Sequence, residues 1–153
     1  MSSKLPAFEP CDPKFATRVA ESFSRQAFLK FIGATLSRVE PGLVEVVLPL
    51  HEHLTQQHGY GHAGVTTTLA DVAGGYAAAT LNPQDREVLT VEMKINLLAP
   101  AEGDSLRAEA RVLRAGRRLI TTEAEVYTCK SDGREEICAK MLQTIASVSL
   151  ARS

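Results

Sequence analysis

One acidic residue, Asp71, lies in the middle of a segment made almost entirely of apolar and small residues. The segment covers residues 62–81, HAGVTTTLADVAGGYAAATL, and its composition predicts a helix that is buried on all sides. An unpaired carboxylate in such surroundings costs free energy, so Asp71 needs a partner or a chemical role. A hydroxyl one turn earlier, from Thr67 or Thr68, can supply a purely structural partner. The alternative is that Asp71 is a catalytic carboxylate.

The start of the same helix is a second candidate for chemistry. It is predicted at His62-Ala63-Gly64, directly after a loop rich in histidine and glycine. The first N–H groups of a helix have no acceptor within it, and they lie at the positive end of the helix dipole. Both features favour an oxyanion or a polarised carbonyl at this position.

The distance between these two candidates predicts an oligomer. Asp71 follows Ala63 by eight residues, which is about 12 Å along an α-helix that rises about 1.5 Å per residue. Groups so far apart cannot act on one carbonyl carbon within a single chain. If both are catalytic, two antiparallel helices from two subunits must lie side by side, with Asp71 facing the partner's amides across a two-fold axis. We therefore expect an obligate homodimer.

Two other kinds of hydrolase site find less support in the sequence. His51 and His53 form an H-x-H pair that could bind a metal ion, but loop histidines are the simpler interpretation. The spacing from His58 to His62 contains two glycines and lacks the glutamate of the H-E-x-x-H zinc motif. No serine has a G-x-S-x-G context, so a serine hydrolase triad is not supported. We expect no metal.

The remaining segments predict the elements that position these residues. Residues 12–25 predict a short amphipathic helix that begins at Asp12 as its N-cap. Two β-rich runs joined by a turn at residues 40–42 predict a hairpin, and four longer β-type runs follow the buried helix. The predicted strands cover residues 31–37, 43–48, 87–98, 105–113, 118–129 and 135–150.

This order of elements predicts a single α+β domain in which a mostly antiparallel sheet wraps around a central helix. The alternation in VEMKINLL and RAEARVLR fits antiparallel strands with one covered face. The glycines and alanines of the helix allow close approach of the sheet. We expect one domain over residues 1–153, with a helical lead at 1–26 and the core at 27–150.

Two linked motifs resemble a known family. Gln56 is followed six residues later by His62-Ala63-Gly64, and nine residues after that histidine comes Asp71 within T-L-A-D. The run TVEMKINLLAPA, which begins at Thr90, resembles the family's strand after the helix. Between about residues 30 and 148, the chain resembles the hotdog-fold acyl-coenzyme A thioesterases of the phenylacetate-degradation (PaaI-like) type.

The resemblance implies a hotdog fold and hydrolysis of an acyl- or aryl-coenzyme A to a free acid and coenzyme A, without a separate cofactor. It implies that Asp71 is the general base or nucleophile and that Gln56 positions the substrate or water. Thr90 would hold the attacking water. It further implies that homodimers pair into a homotetramer.

For the helix start, the resemblance implies that the amides of Ala63 and Gly64 polarise the thioester carbonyl. His62 would orient the loop and the helix start through a side-chain hydrogen bond. Ala63 departs from the family, which has glycine at this position of its H-G-G motif. Alanine keeps the N–H donor, and its methyl group narrows the thioester channel.

A cluster of arginines is the candidate site for the coenzyme A phosphates. Arg114, Arg117 and Arg118 surround Gly116 at a predicted strand turn. Such a cluster can hold phosphates by charge-assisted hydrogen bonds. The same residues also fit a solvated hairpin turn.

The composition narrows the remaining function classes. A formal net charge of -1, the absence of Trp and an aromatic content of 5% argue against nucleic acid and anionic membranes as partners. Cys11, Cys129 and Cys138 are odd in number and widely spaced, unlike a disulfide framework or a zinc site. No apolar targeting or membrane-spanning run is found, so we expect a cytoplasmic protein.

Two other functions are alternatives for this fold. A hotdog hydratase or dehydratase needs a carboxylate and a histidine together on the reacting carbons, and the buried helix carries no such pair. A non-catalytic acyl-coenzyme A-binding module is the second alternative.

Overall fold

A computed structural model describes residues 7–149, and within them three α-helices pack with one six-stranded sheet. The strand order is β1-β2-β4-β5-β6-β3, and every neighbouring pair is antiparallel. The predicted α+β class is confirmed. The helices are α1 Phe15–Ser24, α2 Ala27–Ile32 and α3 Ala63–Ala79, and the strands are β1 Thr35–Glu40, β2 Leu43–Pro49, β3 Arg86–Leu97, β4 Ser105–Ala115, β5 Leu119–Cys129 and β6 Glu135–Ser149.

The core lies between α3 and one face of the sheet. Alternate residues of β4, such as Leu106 and Ala108, are fully buried on this face, and Leu69, Ala73 and Ala77 of α3 pack with them in one apolar core. This alternation is what an antiparallel sheet with one covered face requires. Within the single chain, α3 is buried along one side only. The prediction of burial on all sides is therefore wrong for its other side, where Asp71 and neighbouring residues are half-buried.

The opposite face of the sheet carries charged side chains in pairs across the strands. Arg107 of β4 donates to Glu45 of β2 at 2.9 Å and to Glu135 of β6 at 2.7 Å, and its guanidinium lies 4.5 Å from the centre of the Tyr127 ring. Cross-strand pairs of opposite charge favour the observed strand register. This face is therefore polar, unlike the face that covers α3.

The region before β1 differs from the sequence prediction. The predicted strand 31–37 begins too early, because Phe31 and Ile32 belong to α2 and β1 begins at Thr35. Gly33 ends α2 in the left-handed conformation, with φ of 82°, and its N–H donates to the Leu29 carbonyl at 3.0 Å. A glycine of this kind is a helix stop signal, but the β-rich composition of Phe31 and Ile32 hid it.

The beginning of α1 also differs from its prediction. Lys14, not Asp12, is the N-cap residue of α1. Asp12 lies two residues earlier, and its Oδ1 accepts a hydrogen bond from the Lys14 N–H at 2.9 Å. Asp12 therefore stabilises the turn that leads into the helix instead of capping it.

The other elements lie close to their predicted positions. The hairpin of β1 and β2 and the four strands that follow α3 are confirmed. β1 begins four residues and ends three residues later than predicted, and the ends of the other strands differ by at most two residues. Leu150, the predicted last residue of the final strand, lies outside the described residues, as do the first six residues of the predicted helical lead. No helix within residues 7–149 is long and apolar enough to cross a membrane.

Candidate active site

The Asp71 carboxylate is held by hydrogen bonds from two strands. Its Oδ1 accepts from Thr90 Oγ1 of β3 at 2.7 Å and from Gln143 Nε2 of β6 at 2.7 Å. Gln143 is only 1% exposed, and its Oε1 accepts from Thr122 Oγ1 of β5 at 3.1 Å. Asp71 Oδ2 accepts no hydrogen bond from residues 7–149. One oxygen is thus fixed, and the other can accept a proton or attack a carbon atom.

The structural partners considered for Asp71 are wrong. Thr67 Oγ1 donates to the Ala63 carbonyl in its own helix, at 2.7 Å, and does not contact the carboxylate. The actual partner Gln143 was missed by the sequence analysis. A signal for it exists, because Gln143 stands between Met141 and Ile145 at an inward position of β6, where a polar side chain needs a buried partner.

Gly74 explains why α3 carries a glycine next to this hydrogen-bond network. A Cβ atom at Gly74 would lie 1.8 Å from Gln143 Oε1 and 2.9 Å from Thr122 Oγ1. Any side chain at this position would displace the amide that holds Asp71. At the adjacent Gly75, in contrast, an added Cβ would have no atom within 4 Å.

Asp71 and Thr90 line a cleft of ≈ 230 Å³ between α1, α3 and the beginning of β3, which we call the aspartate cleft. Its opposite wall contains Ser22 of α1 and Gln26, the residue before α2. The site therefore includes the helical lead, for which the sequence analysis had predicted no function.

Gln56 and Ala63 line a second cleft, of ≈ 430 Å³, which we call the amide cleft. Gln56 Oε1 accepts a hydrogen bond from the His58 N–H, which leaves the side-chain NH₂ available to a ligand. The loop is tied to the chain after β3, because the Gly61 N–H donates to the Ala101 carbonyl at 2.8 Å.

His62 caps α3 through its side chain. Its Nδ1 accepts from the Gly64 N–H at 2.9 Å, so the imidazole has the kind of positioning contact that was predicted. The Gly64 N–H therefore already donates to the His62 side chain, in disagreement with its predicted role as a second oxyanion donor. The Ala63 N–H has no acceptor in the described part of the chain, and Ala63 is exposed.

The predicted site residues thus fall into two separate clefts of one chain. Asp71 and Thr90 line the aspartate cleft, whereas Gln56 and Ala63 line the amide cleft. This separation agrees with the distance of about 12 Å expected along the helix. A single chain therefore does not place the carboxylate and the free amide on one ligand atom.

The arginine cluster forms the turn between β4 and β5, where Arg114, Arg117 and Arg118 are exposed. The Gly116 N–H donates to the Leu119 carbonyl at 3.0 Å, and a Cβ at Gly116 would lie 2.6 Å from that oxygen. The glycine is therefore required by the tight turn. None of the three guanidinium groups forms an ion pair with a residue between 7 and 149.

Other nucleophile and metal chemistries find little support around the clefts. Cys138 lines the amide cleft, but burial raises the pKa of its thiol to about 11, so the thiol stays protonated at neutral pH. No group of three or more metal-ligating side chains comes together in residues 7–149. Asp71 is the carboxylate whose contacts fit a catalytic role best.

Comparison with known proteins finds relatives by sequence and by structure. Residues 58–134 match the sequence profile of the Thioesterase superfamily. A solved thioesterase family protein from Silicibacter pomeroyi is 40% identical, covering 89% of this chain and 99% of that one, with a TM-score of 0.87. A candidate esterase of Saccharolobus solfataricus is 33% identical over 128 residues, 84% of this chain and 82% of that protein. A 1,4-dihydroxy-2-naphthoyl-CoA hydrolase of Listeria monocytogenes is 32% identical over 106 residues, 65% of this chain and 86% of that protein.

Proposed function

Because the chain belongs to the Thioesterase superfamily and is a thioester hydrolase, we propose that it hydrolyses an acyl- or aryl-coenzyme A. Asp71 is the general base or nucleophile. The observation that carries this proposal is the asymmetry of the carboxylate, whose Oδ1 is held by Thr90 and Gln143 while Oδ2 has no partner among residues 7–149.

Coenzyme A as the thiol carrier is supported by the relative from Listeria monocytogenes, whose name describes a coenzyme A thioester as its substrate. The linked motifs around Gln56, His62 and Asp71 support the PaaI-like type within the superfamily. If Asp71 is the base, it takes a proton from water as the water oxygen attacks the thioester carbon, and the tetrahedral oxyanion collapses with cleavage of the C–S bond to the free acid and a thiolate that takes up the proton. If Asp71 is the nucleophile, the collapse releases coenzyme A and leaves an anhydride on Asp71, which water then hydrolyses to the free acid. Proton removal by a placed base contributes typically about 10²- to 10⁴-fold to the rate of such a step.

The complete active site requires two copies of the chain. The edge strand β3 supports this arrangement, since it pairs with β6 on one side and with no strand of residues 7–149 on the other. It also exposes large apolar side chains, among them Leu89 at 60% and Val91 at 62%. A long apolar edge strand is a template for pairing with another chain.

If β3 pairs with the β3 strand of a second copy of the chain, the aspartate cleft of one copy comes next to the amide cleft of the other. Thr90, near the beginning of β3, lines the aspartate cleft, and Leu97, at its end, lines the amide cleft. In an antiparallel pair with a two-fold axis between Met93 and Lys94, Thr90 of one chain lies opposite Leu97 of the other. The aspartate cleft of each protomer then meets the amide cleft of its partner.

In this dimer, the free Ala63 N–H is the donor that stabilises the oxyanion. It lies at the first position of α3, where the helix dipole adds to its hydrogen bond. Loss of one such donor costs about 10²- to 10³-fold in kcat in other acyl-transfer enzymes. Gly64 acts indirectly, because its N–H holds the His62 side chain.

The arginine cluster at the turn between β4 and β5, which we call the arginine turn, is the proposed contact for the coenzyme A phosphates. It lies at the same end of the sheet as Thr90, because Thr90 pairs with Ile145 and Ile145 pairs with Ile120 at the beginning of β5. Unpaired guanidinium groups near the site are suited to bind phosphates as charge-assisted donors.

A thiol-release assay tests the proposed function. We expect free thiol from at least one member of a panel of aryl, short-chain and long-chain acyl-coenzyme A substrates. Asp71→Asn keeps the size of the side chain but removes the charge, and it should lower kcat at least about 100-fold. Asp132→Asn, at an exposed turn far along the chain, is the matched control and should leave kcat unchanged. An Asp71→Asn enzyme with the wild-type rate would remove Asp71 from the mechanism, and absence of thiol from every substrate would favour a binding module.

A further inference from the structure

The aspartate cleft contains a cluster of neutral polar groups in addition to the carboxylate. Tyr76 OH accepts a hydrogen bond from Gln26 Nε2 at 2.7 Å and lies 3.1 Å from Ser22 Oγ. All three residues line the same cleft as Asp71. We call Ser22, Gln26 and Tyr76 the hydroxyl cluster.

The hydroxyl cluster has more donor hydrogens than its internal contacts use. Ser22 and Tyr76 each carry one O–H, but a single hydrogen bond between them uses only one of the two. The Gln26 NH₂ group donates one of its two hydrogens to Tyr76 OH and accepts none, so it does not use up either hydroxyl hydrogen. Whichever hydroxyl donates within the pair, the other O–H is left to donate to a group in the cleft.

Two arginines of the cleft, Arg18 and Arg86, are engaged by the protein itself. Arg18 donates to the carbonyls of Pro83, Ala79 and Asn82, at 3.1, 3.3 and 2.6 Å. Arg86 donates to Ser147 Oγ, at 2.7 Å, and to its carbonyl. Both guanidinium groups therefore hold the chain around α3 and β3 together. Arg25 also lines the cleft and forms no ion pair within residues 7–149, but it is exposed beyond the end of α1. The donors left for a ligand inside the cleft are therefore this exposed guanidinium and the neutral groups of the hydroxyl cluster.

The floor between Asp71 and the hydroxyl cluster is open. Gly75 follows Asp71 by one helical turn and also lines the cleft, and an added Cβ there would contact no atom within 4 Å. Tyr76 follows Asp71 by five residues, which is about 7.5 Å along the helix axis. A cleft of ≈ 230 Å³ can take a small acyl group but not the nucleotide part of coenzyme A.

We propose that the aspartate cleft is the subsite for the acyl group, and that the hydroxyl cluster selects acyl groups that carry an oxygen atom at their far end. This inference rests on the proposed thioester hydrolysis at Asp71. The acyl group lies over Gly75, with its carbonyl carbon at Asp71 and its terminal oxygen about 7 Å away, accepting the unused O–H of Ser22 or Tyr76.

Pairs of substrates that differ by one oxygen atom test this subsite. The pairs are 4-hydroxyphenylacetyl-coenzyme A against phenylacetyl-coenzyme A, and 6-hydroxyhexanoyl-coenzyme A against hexanoyl-coenzyme A. For the wild type, we expect kcat/KM to be at least about tenfold higher for the oxygenated member of at least one pair, because only that member has an oxygen atom that can accept the unused O–H of the hydroxyl cluster.

Tyr76→Phe removes the hydroxyl but keeps the ring that packs on Phe23 at 5.7 Å between centroids. The preference should fall to within about twofold of equality in Tyr76→Phe, through loss of kcat/KM for the oxygenated substrate alone. Ser22→Ala is the second variant and should lower the preference in the same direction. Tyr127→Phe, on the opposite face of the sheet, removes a hydroxyl that contacts Glu125 and should leave the preference unchanged.

The same variants distinguish recognition from a structural role. If the hydroxyl cluster only joins α1 to α3, Tyr76→Phe lowers the Tm and reduces kcat/KM equally for both members of each pair, which overturns the proposal. Equal rates for both members with the wild type overturn it as well. Binding of the four compounds to Asp71→Asn and to Asp71→Asn/Tyr76→Phe, measured by calorimetry, provides a readout without catalysis. If no compound is hydrolysed, the proposed function fails, while the affinity ratios still support or overturn the subsite.

Discussion

The aspartate cleft and the amide cleft lie at different positions along the same helix and differ in how their functional groups are held. Asp71 is fixed by side chains from β3 and β6, and Gln143 behind it is fully buried. Ala63 lies at an exposed helix start, and its functional group is a backbone N–H with no acceptor in the described residues.

This difference indicates which parts of the site a single chain can build. The carboxylate is oriented by long-range contacts inside one chain, so its geometry exists before a partner binds. The amide is oriented by the helix alone, and in the proposed dimer it acts on the thioester bound beside the carboxylate of another subunit. In that proposal, the two clefts are a prepared half and an open half of one active site.

The largest expected effect on the prepared half comes from its two adjacent glycines. Gly74→Ala should destabilise the protein by about 2–4 kcal/mol, despite the better helix propensity of alanine, because its Cβ collides with Gln143 and breaks the contact to Asp71. Its kcat should fall as well. Gly75→Ala should stabilise the protein by about 0.5–1 kcal/mol, since its Cβ meets open space.

Urea unfolding of the two glycine variants, followed by circular dichroism, measures this contrast. The helix-propensity contribution is the same in both variants, so the difference between them reports the collision with Gln143. Equal changes in unfolding free energy would mean that Gln143 does not depend on Gly74 and that the carboxylate is held less firmly than the hydrogen bonds indicate.

A smaller effect is expected outside both clefts, at the arginine turn. Replacement of Arg114, Arg117 and Arg118 by alanine should raise KM for an acyl-coenzyme A about 3- to 10-fold, with kcat within about twofold of the wild type. Arg134→Ala, which removes an exposed arginine paired with Asp132, is the control. The corresponding acyl-pantetheine lacks the nucleotide phosphates and should show no change in KM. An equal rise in KM for acyl-pantetheine, or no rise for either substrate, would mean that the three arginines do not bind the nucleotide phosphates.

Local sequence patterns predicted most of the fold. The glycine-containing turns and the apolar alternation indicated the strands from β2 to β6, and the small residues of 62–81 indicated α3. The prediction was wrong at α2, because a helix of six residues has too little periodicity to outweigh the β-rich pair Phe31 and Ile32.

The site was predicted where its residues are close in the sequence or belong to the linked motifs. Gln56, Ala63 and Asp71 fall within sixteen residues, and their spacing carries the resemblance. Gln143 was missed because it lies 72 residues from Asp71, and their contact depends on the register of β6 beside β3. The engagement of the Gly64 N–H by His62 is likewise a detail of loop conformation that the residue types alone do not determine.

The central claim is that each active site combines the carboxylate of one chain with the amide of another, and two complementary variants can test it. Asp71→Asn disables the carboxylate. Ala63→Pro removes the N–H at the first helical position, where proline is well tolerated, and His62 already has the extended ψ of 137° that a following proline requires. Each variant alone should have at most about 1% of wild-type kcat.

The decisive measurement is the activity of a heterodimer formed by coexpression of the two variants with different affinity tags and purified through both. One of its two sites combines the intact Asp71 of one chain with the intact Ala63 amide of the other, so kcat per dimer should recover to about half of the wild-type value. A heterodimer no more active than either parent would show that the carboxylate and the amide do not meet between subunits.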